Sequence, residues 1–421
     1  MKRLPIGRDN FKDIIEKDFY YVDKTKIIEE LRERGAYVTL FPRPRRFGKS
    51  LMISTLDEFF NVEKKQTNKK LFKNLYIDKS KFSKEQGKYP VIKLNFKGLK
   101  SETIEHMYGA IKEEISQLFS AKRYLLDNLN EEEKNFYYKI LRKEADIHEY
   151  EQSIKLLSQF LEKYYNQKVL LLIDEYDVPI QTAYLNGFYK ETIGFIKNLF
   201  GNTLKTNDSI EFAVMTGILR VSKESIFSDL NNVRVYSIMN SLYDEYFGFT
   251  ESETKDLLEY FSLSLTKEVK NMYDGYIFGE REIYNPWSIL NYAEEGQLYP
   301  YWVNTSSDEL LKDLFNKTKE QTSEMLEKLL LGKSIEIQYD DKITFLDLND
   351  ISLNSATTII GNFLLLSGYL TKQKNTEIAP NSYVSLKIPN SEVKTVYADV
   401  IQNWVKNDAN LTDDSLFKLI Y

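Results

Sequence analysis

The chain has 421 residues, 42% of them hydrophobic, and is therefore long enough for one large core or for two to three domains of about 100–200 residues. Its 57 lysines and arginines against 63 aspartates and glutamates give a net charge of -6, which excludes an overall basic field that would attract nucleic acid or an anionic membrane. The absence of cysteine excludes a disulfide framework, a thiolate zinc site and a cysteine nucleophile. The two isolated histidines, His106 and His148, favour neither a histidine metal site nor a catalytic triad.

The N-terminal and apolar segments argue against secretion and membrane insertion. The sequence MKRLPIGRDNF carries Pro, Gly and charges where a signal peptide needs an unbroken apolar run. The longest aliphatic run, residues 169–173, is far below the roughly 18 residues of a membrane span. We therefore expect no signal peptide, no membrane association and a cytoplasmic location.

The first half of the chain alternates β-like and helical patterns. Residues 37–41 form a short apolar run that stops at Pro42, and further β-like runs follow Pro90 and cover residues 169–173 and 210–215. Helical spacing predicts helices over residues 49–60, 101–119, 131–141, 151–165 and 188–203. Strands that alternate with helices predict an α/β domain with a mainly parallel sheet flanked by helices, over residues 1–240.

The pattern changes from Ser241 onward. Residues 241–332 are predicted to form a helical domain. Residues 333–392 carry short alternating runs around one helix, at 355–366, followed by a β-like pair near Tyr369 and Tyr383, which is typical of a small winged-helix-like module. Residues 393–421 are predicted to be a linker or the start of a truncated C-terminal domain.

A lysine-rich stretch covers residues 63–88, with nine lysines against three acidic residues. Most such runs are solvated insertions, and local contact with nucleic acid is the alternative.

The segment RPRRFGKS at residues 43–50, here named the phosphate loop, resembles the Walker A pattern G-x-x-x-x-G-K-[ST] in its second half. Arg43 replaces the leading glycine, and Pro42 and Pro44 are expected to preset the turn instead. A chance match with an ordinary basic patch is the alternative, but the position between a strand and a helix favours anion binding. The predicted phosphate-binding residues are Arg43, Arg45, Arg46, Phe47, Gly48, Lys49, Ser50 and Leu51.

Carboxylates follow the apolar run at residues 169–173, where a parallel strand opens at the ligand-binding edge of its sheet. Asp174 is predicted to hold magnesium together with Ser50, and Glu175 to polarise the attacking water. The alternative is that polar residues simply end a buried strand. Asp177 is predicted to cap the next helix, with a supporting position behind the metal-binding residues as the alternative.

A third element ends at the same predicted edge. The run at residues 210–215 delivers Thr216, whose hydroxyl is predicted to sense the γ-phosphate. Arg220 follows within a turn and is predicted to stabilise the transferring phosphoryl group, with a surface salt bridge as the alternative. Lys49, Glu175, Thr216 and Arg220 are thus the predicted catalytic residues.

Several longer motifs resemble the AAA-ATPase-like family of bacterial and anaerobic-eukaryote proteins. They are LPIGRDNF from Leu4, YVDKT from Tyr21, RPRRFGKS from Arg43, LLLIDEYDVPI from Leu170, TGILRVSKESIFSDLNN from Thr216, YNPWS from Tyr284, YWVNTS from Tyr301 and IPNSEV from Ile388. The resemblance implies a P-loop fold with an extra strand between the two Walker strands, and a magnesium–nucleotide site. It also implies that an arginine at the leading Walker position is usual.

Members of that family are often followed by a PD-(D/E)XK-type nuclease domain, which is expected to be absent here because the chain ends at Tyr421. Glu392 and Lys394 spell E-x-K, but no acidic strand precedes them, so catalysis there is not predicted. The chain is expected to be either a truncated form or a natural variant without this effector.

The leading hypothesis is magnesium-dependent ATP binding with slow hydrolysis, used as a switch or sensor that regulates an effector. That effector would be a nuclease domain or a partner protein, and oligomerisation is compatible with this reading. One alternative is a nucleic-acid-binding module that uses residues 63–88 or the winged-helix-like module. The other is a pseudo-ATPase scaffold that binds the nucleotide without cleaving it.

Overall fold

The computed structural model describes residues 1–205, 207–219, 232–302, 314–315, 318–340, 343–345, 347–348, 356–374 and 382–407, and within these the side chains of all but 319–321 and 401–407. The chain divides into two compact units. The sheet unit contains Arg8–Pro42 and Lys49–Tyr236, and the C-terminal unit contains Met1–Gly7, Arg43–Gly48 and Ser237–Tyr421. Most of the phosphate loop is therefore grouped with the C-terminal unit, whereas Lys49 and Ser50 belong to the sheet unit.

The sheet unit is built on five parallel strands in the order β2-β3-β4-β1-β5. β1, β3 and nearly all of β4 are buried, as their apolar sequences predict. The parallel α/β sheet is confirmed, and so is the extra strand, β4, between the two motif strands β1 and β3. The strands are β1 Val38–Pro42, β2 Val91–Asn95, β3 Val169–Asp174, β4 Ile210–Gly217 and β5 Val233–Val235.

Helices connect these strands. They are α1 Phe11–Glu16, α2 Lys26–Arg34, α3 Lys49–Phe60, α4 Lys65–Asn68, α5 Ile104–Ala121, α6 Glu131–Arg142, α7 Ile147–Tyr165, α8 Val178–Asn186 and α9 Tyr189–Leu204. The predicted helices are confirmed. α7 begins four residues before the predicted start because Asp146 and Glu149 form a capping box. α1, α2 and α4 were not predicted, and α8 was implied only by the expected cap at Asp177.

The lysine-rich stretch at residues 63–88 is part of the sheet unit. It folds into short helical turns in which Leu71, Phe72 and Ile77 are buried. The Phe72 ring stacks on Phe11 at 4.8 Å, and Lys64 forms ion pairs with carboxylates of α3. Eight of its nine lysines are exposed, as expected for a solvated stretch, but its few apolar residues fix it to the core. Nucleic-acid binding there stays a prediction.

The C-terminal unit contains two antiparallel sheets, with orders β6-β8-β7 and β10-β11-β9. The first lies within residues 241–332, where only helices were predicted, because its strands of two to four residues are too short to show a period. The strands of the C-terminal unit are β6 Phe249–Thr250, β7 Tyr276–Phe278, β8 Arg281–Tyr284, β9 Ile335–Gln338, β10 Thr371–Lys372 and β11 Tyr383–Lys387. Its helices are α10 Glu251–Tyr260, α11 Lys267–Tyr273, α12 Pro286–Glu295, α13 Lys319–Leu330, α14 Ala356–Ser367 and α15 Ser391–Asn407.

The expected helix followed by a β-pair is present in this unit. α14 precedes β10, which pairs antiparallel with β11. β9 pairs with the other side of β11, so the sheet also has a strand before the helix. The winged-helix architecture stays a prediction. Within the ranges above, no helix has both the length and the apolar composition needed to cross a membrane.

Candidate functional site

The carboxyl ends of β1, β3 and β4 meet at one edge of the sheet. Phe41 is in register with Thr216, and Ile173 is in register with Met215. Asp174 and Thr216 therefore end adjacent strands at the same level, as the sequence predicts. In open α/β sheets this edge is where ligands bind.

Asp174 and Thr216 form a buried pair. The Thr216 hydroxyl donates to Asp174 Oδ1 at 2.6 Å and accepts the Glu175 N–H at 3.3 Å. Only 2% of Asp174 is exposed, and Thr216 is fully buried. The hydroxyl thus orients the carboxylate, which gives Thr216 a positioning role that the sequence did not indicate. Direct sensing of a γ-phosphate by Thr216 stays a prediction.

Glu175 has a left-handed backbone, with φ of 53°. This conformation is strained for a residue with a side chain and is maintained by its surroundings. Here the Glu175 N–H donates to the Thr216 hydroxyl, and the Tyr176 N–H donates to the Thr216 carbonyl at 3.1 Å. Burial raises the pKa of the Glu175 carboxyl, while the charge of Lys49 acts in the opposite direction. Strain and a perturbed pKa at a strand end are typical of functional sites.

Lys49 brings positive charge to this edge. It is the first residue of α3, only 4% exposed, and its charge acts on the carboxylates of both Glu175 and Asp177. Ser50 follows it and is half-buried, as is Leu51. The structure therefore brings Lys49, Asp174, Glu175 and Thr216 together within the sheet unit.

Lys97 is a second cation at this edge that the sequence reasoning missed. Its Nζ forms an ion pair with Asp9 at 2.9 Å. That hydrogen bond is the main cause that raises the pKa of Lys97, and the charges of Glu175 and Asp174 add to it. Its position directly after the β-like run that follows Pro90 could have indicated that Lys97 lies at this edge.

Asp177 does not cap α8 with its side chain, so that prediction was wrong. Its Oδ2 accepts the N–H groups of Ile218 (2.7 Å) and Leu219 (3.1 Å), which ties the chain after β4 to the end of β3. Burial raises the pKa of this carboxyl against those two hydrogen bonds. The close approach requires Gly217, because a Cβ there would lie 2.6 Å from Tyr176 Cε1 and 2.8 Å from Asp177 Oδ1.

Replacing Gly217 with alanine should lower the free energy of unfolding by roughly 1–3 kcal/mol, since both neighbouring side chains are buried and must shift. Urea denaturation would measure the change. Gly194→Ala is the matched control, because Gly194 lies exposed in α9 with open space around its Cα and should gain stability from alanine. Unchanged stability in Gly217→Ala would contradict the packing described.

Arg43 is the phosphate-loop residue that departs most from its predicted role. It is fully buried in the C-terminal unit, and its guanidinium lies over Phe247 at 4.9 Å and Phe278 at 5.5 Å from the ring centres. Nη2 donates to the Tyr243 carbonyl at 3.3 Å. Burial lowers the pKa of Arg43 to about 9, against the opposing charge of Asp244. These contacts favour a structural anchor over a phosphate ligand.

The backbone of the loop explains why arginine is tolerated at the leading Walker position. Arg43 is not among the residues with positive φ, whereas Arg46 and Gly48 are, at 68° and 88°. The turn that needs a left-handed conformation is therefore made later in the loop.

The remaining loop residues are also held within the C-terminal unit. Phe47 is buried against Tyr276 and accepts the Gly248 N–H at its carbonyl, at 3.1 Å. Arg46 is exposed, with its guanidinium 4.4 Å from the ring centre of Trp287. Arg45 is half-buried. Arg220 lies outside the described residues.

Comparison with known proteins places this chain in a family. A family model described as Predicted AAA-ATPase matches residues 5–227, which is more than half of the chain and includes the phosphate loop, Asp174 and Thr216. The chain is also 28% identical, over 397 residues, to an uncharacterised protein in the vnfD 5' region of Azotobacter chroococcum mcd 1. That alignment covers 93% of this chain and 68% of the relative. This protein belongs to the Predicted AAA-ATPase family, a membership that indicates nucleotide binding.

Proposed function

We propose that this protein binds ATP with magnesium at the carboxyl edge of its parallel sheet and hydrolyses it slowly, as a switch or sensor that regulates an effector. Family membership supports nucleotide binding. The observation that carries the proposal is the buried Asp174–Thr216 pair at the ends of adjacent strands, with the charge of Lys49 acting on the neighbouring Glu175.

Lys49 and the start of α3 are the phosphate-binding elements. The N–H groups of a first helical turn lack partners within the helix and carry partial positive charge, so they favour an anion. α3 has 12 residues, long enough for this effect, and it begins at Lys49. The Lys49 ammonium group adds a full positive charge. Without nucleotide this charge acts on the nearby carboxylates, and with ATP bound it would pair with the phosphates.

Magnesium suits the donor set of the site. The Ser50 hydroxyl and the Asp174 carboxylate are hard oxygen donors of the type this cation prefers, and Thr216 already fixes one oxygen of the carboxylate. When bound, the cation supplies positive charge to the phosphate oxygens. Asp174 and Ser50 are the residues that would hold it.

Glu175 is the general base of the proposal. Burial makes its carboxylate more basic than an exposed one, so it takes up a proton more readily. It would accept the proton of the water that attacks the γ-phosphorus, while the bond from that phosphorus to the β–γ bridging oxygen breaks. Thr216 and the backbone of Tyr176 hold the chain at Glu175 for this task.

Asp174→Asn tests the metal part of the proposal. We expect the magnesium concentration needed for ATP binding to rise by roughly 10–100-fold, the range seen when even outer partners of a metal are removed. Calorimetric ATP titrations at several magnesium concentrations would measure it. Asp208→Asn is the control, because Asp208 is an exposed carboxylate just before β4, at the opposite edge of the sheet. If Asp174→Asn and the wild type show the same magnesium dependence of ATP binding, Asp174 does not hold the metal and only ends its strand.

A further inference from the structure

Lys97 is a cation at the carboxyl edge of the sheet unit that has no task in the proposed chemistry. It follows shortly after β2, whose last residue, Asn95, is in register with Asp174. The Phe96 N–H donates to the Asp174 carbonyl at 3.0 Å, so the hydrogen bonding between β2 and β3 reaches the residue just before Lys97. The backbone of Lys97 is therefore held beside the candidate metal ligand.

The backbone of Lys97 is fixed, whereas its side chain is not enclosed. Phe96 and Leu99, on either side of it, are buried, and the Lys97 N–H donates to Asn95 Oδ1 at 3.0 Å. The Lys97 side chain itself is half exposed. Because a lysine carries its charge on a long flexible stem, the ammonium group can turn to a new partner while the backbone stays in place.

Asp9, the partner of Lys97 in this structure, is also attached to the elements of the nucleotide site. Two residues after it, Phe11 begins α1 and is fully buried. The Phe11 N–H donates to Ser54 Oγ of α3 at 2.9 Å, and α3 is the helix that begins at Lys49. Asp9 and Lys97 are thus both placed by the sheet unit.

The ion pair between Lys97 and Asp9 is easily exchanged. Lys97 Nζ lies 2.9 Å from Asp9 Oδ2, but the two side chains are 51% and 53% exposed. Ion pairs with this exposure add little to stability, because water and salt screen them. A terminal phosphate carries more charge than one carboxylate and offers three acceptor oxygens, so it would be the stronger partner.

Electrostatic contacts put the Lys97 ammonium group on the Glu175 side of the site. After Asp9, the carboxylates whose charge acts on it are Glu175 and, more weakly, Asp174. In the proposed reaction Glu175 faces the water that attacks the γ-phosphorus. A cation near Glu175 would therefore meet the γ-phosphate, a group that ADP lacks.

We propose that Lys97 is a specificity-determining residue that distinguishes ATP from ADP. It pairs with Asp9 when the protein holds ADP or no nucleotide, and with the γ-phosphate when Mg-ATP is bound. This inference rests on the proposed function and adds to it the part that senses the nucleotide. Once hydrolysis has released the γ-phosphate, Lys97 returns to Asp9, so the two pairings define the two states of the switch.

Calorimetric titrations of the full chain with magnesium, and with either a non-hydrolysable ATP analogue or ADP, test the proposal. Lys97→Met keeps the stem but removes the charge, and should weaken binding of the analogue by roughly tenfold, the effect of one charge-assisted hydrogen bond. Its ADP affinity should stay at the wild-type level. Lys97→Arg keeps the charge and should retain most of the affinity for the analogue.

Asp9→Asn tests the exchange of partners. The variant removes the carboxylate that competes for Lys97, so it should bind the ATP analogue roughly two- to fivefold more tightly, the value of an exposed ion pair. ADP affinity should not change. The Lys97→Met and Asp9→Asn variants are thus expected to move the affinity for the analogue in opposite directions, which a general loss of folding cannot imitate.

Lys100→Met is the matched control. Lys100 is exposed and lies in the same loop as Lys97, so the variant removes the same charge from the same region. Both affinities should stay at the wild-type level, because an exposed charge that does not touch the nucleotide is screened by salt. A loss of analogue affinity equal to that in Lys97→Met would overturn the proposal, since the overall charge of the loop would then explain the effect.

The remaining outcomes also decide the question. Wild-type affinity for the analogue in Lys97→Met, or an equal loss of analogue and ADP affinity, would overturn the proposal. Unchanged or weaker binding of the analogue in Asp9→Asn would overturn it as well, because Asp9 would then not compete for Lys97. A wild type that binds neither nucleotide would defeat the proposed function and this inference with it, whereas each of the other outcomes leaves nucleotide binding by the wild type intact.

Discussion

Replacing Lys49 with methionine should weaken Mg-ATP binding by at least roughly 100-fold, the value of about two charge-assisted hydrogen bonds. The ammonium group is buried at the carboxyl edge beside Glu175 and Asp177, so its removal leaves the phosphates facing carboxylates without their compensating charge. Methionine keeps most of the side-chain volume, which matters because Lys49 is only 4% exposed. Calorimetry would give the affinity, and circular dichroism the fold.

Lys205→Met is the control for this experiment. Lys205 is exposed and follows α9, so the substitution removes the same charge from the sheet unit at a distance from the site. It should bind ATP as the wild type does. A folded Lys49→Met variant with wild-type affinity would remove the phosphate-loop assignment.

Replacing Glu175 with glutamine should lower ATP turnover by roughly 100-fold or more while ATP and magnesium still bind, because an amide cannot accept the proton of the attacking water. The variant keeps the shape of the side chain and its left-handed backbone. Steady-state phosphate release would measure turnover, and calorimetry would confirm binding. Glu191→Gln, at an exposed position in the first turn of α9, is the control.

Glu175→Gly separates chemistry from strain. Glycine accepts a φ of 53° without penalty, so this variant should lose turnover as Glu175→Gln does without losing stability through backbone strain. If the wild type turns over ATP at a measurable rate and neither variant changes that rate, the general base is another residue, and Asp177 is the first candidate. A wild type that binds ATP but shows no turnover, even with an effector present, would favour the pseudo-ATPase alternative.

The parallel sheet and the Asp174–Thr216 pair illustrate what the sequence could predict. Both residues directly follow apolar runs, and ends of parallel strands meet at one edge, so their proximity follows from local patterns. The position of β4 between β1 and β3 came from the family resemblance, because spacing alone does not define strand order. The helices of 12 residues or more in the sheet unit were also predictable from periodicity.

The contacts of Arg43 and Asp177 could not be predicted from local sequence patterns. Arg43 donates to a carbonyl 200 residues away in sequence, and its charge sits on aromatic rings whose positions depend on the β6-β8-β7 sheet, which was not predicted. Asp177 stands at a helix start, where capping is the usual outcome, yet backbone N–H groups 41 and 42 residues away compete for its side chain. Tertiary contacts of this kind override local propensity.

A crystal structure with magnesium and a non-hydrolysable ATP analogue tests the central claim most directly. We expect the β- and γ-phosphates beside Lys49 Nζ and the first N–H groups of α3, with magnesium held by Ser50 and Asp174 and with the Asp174–Thr216 hydrogen bond retained. A nucleotide bound elsewhere on the molecule, with Lys49 still beside Glu175 and Asp177, would contradict the proposed site.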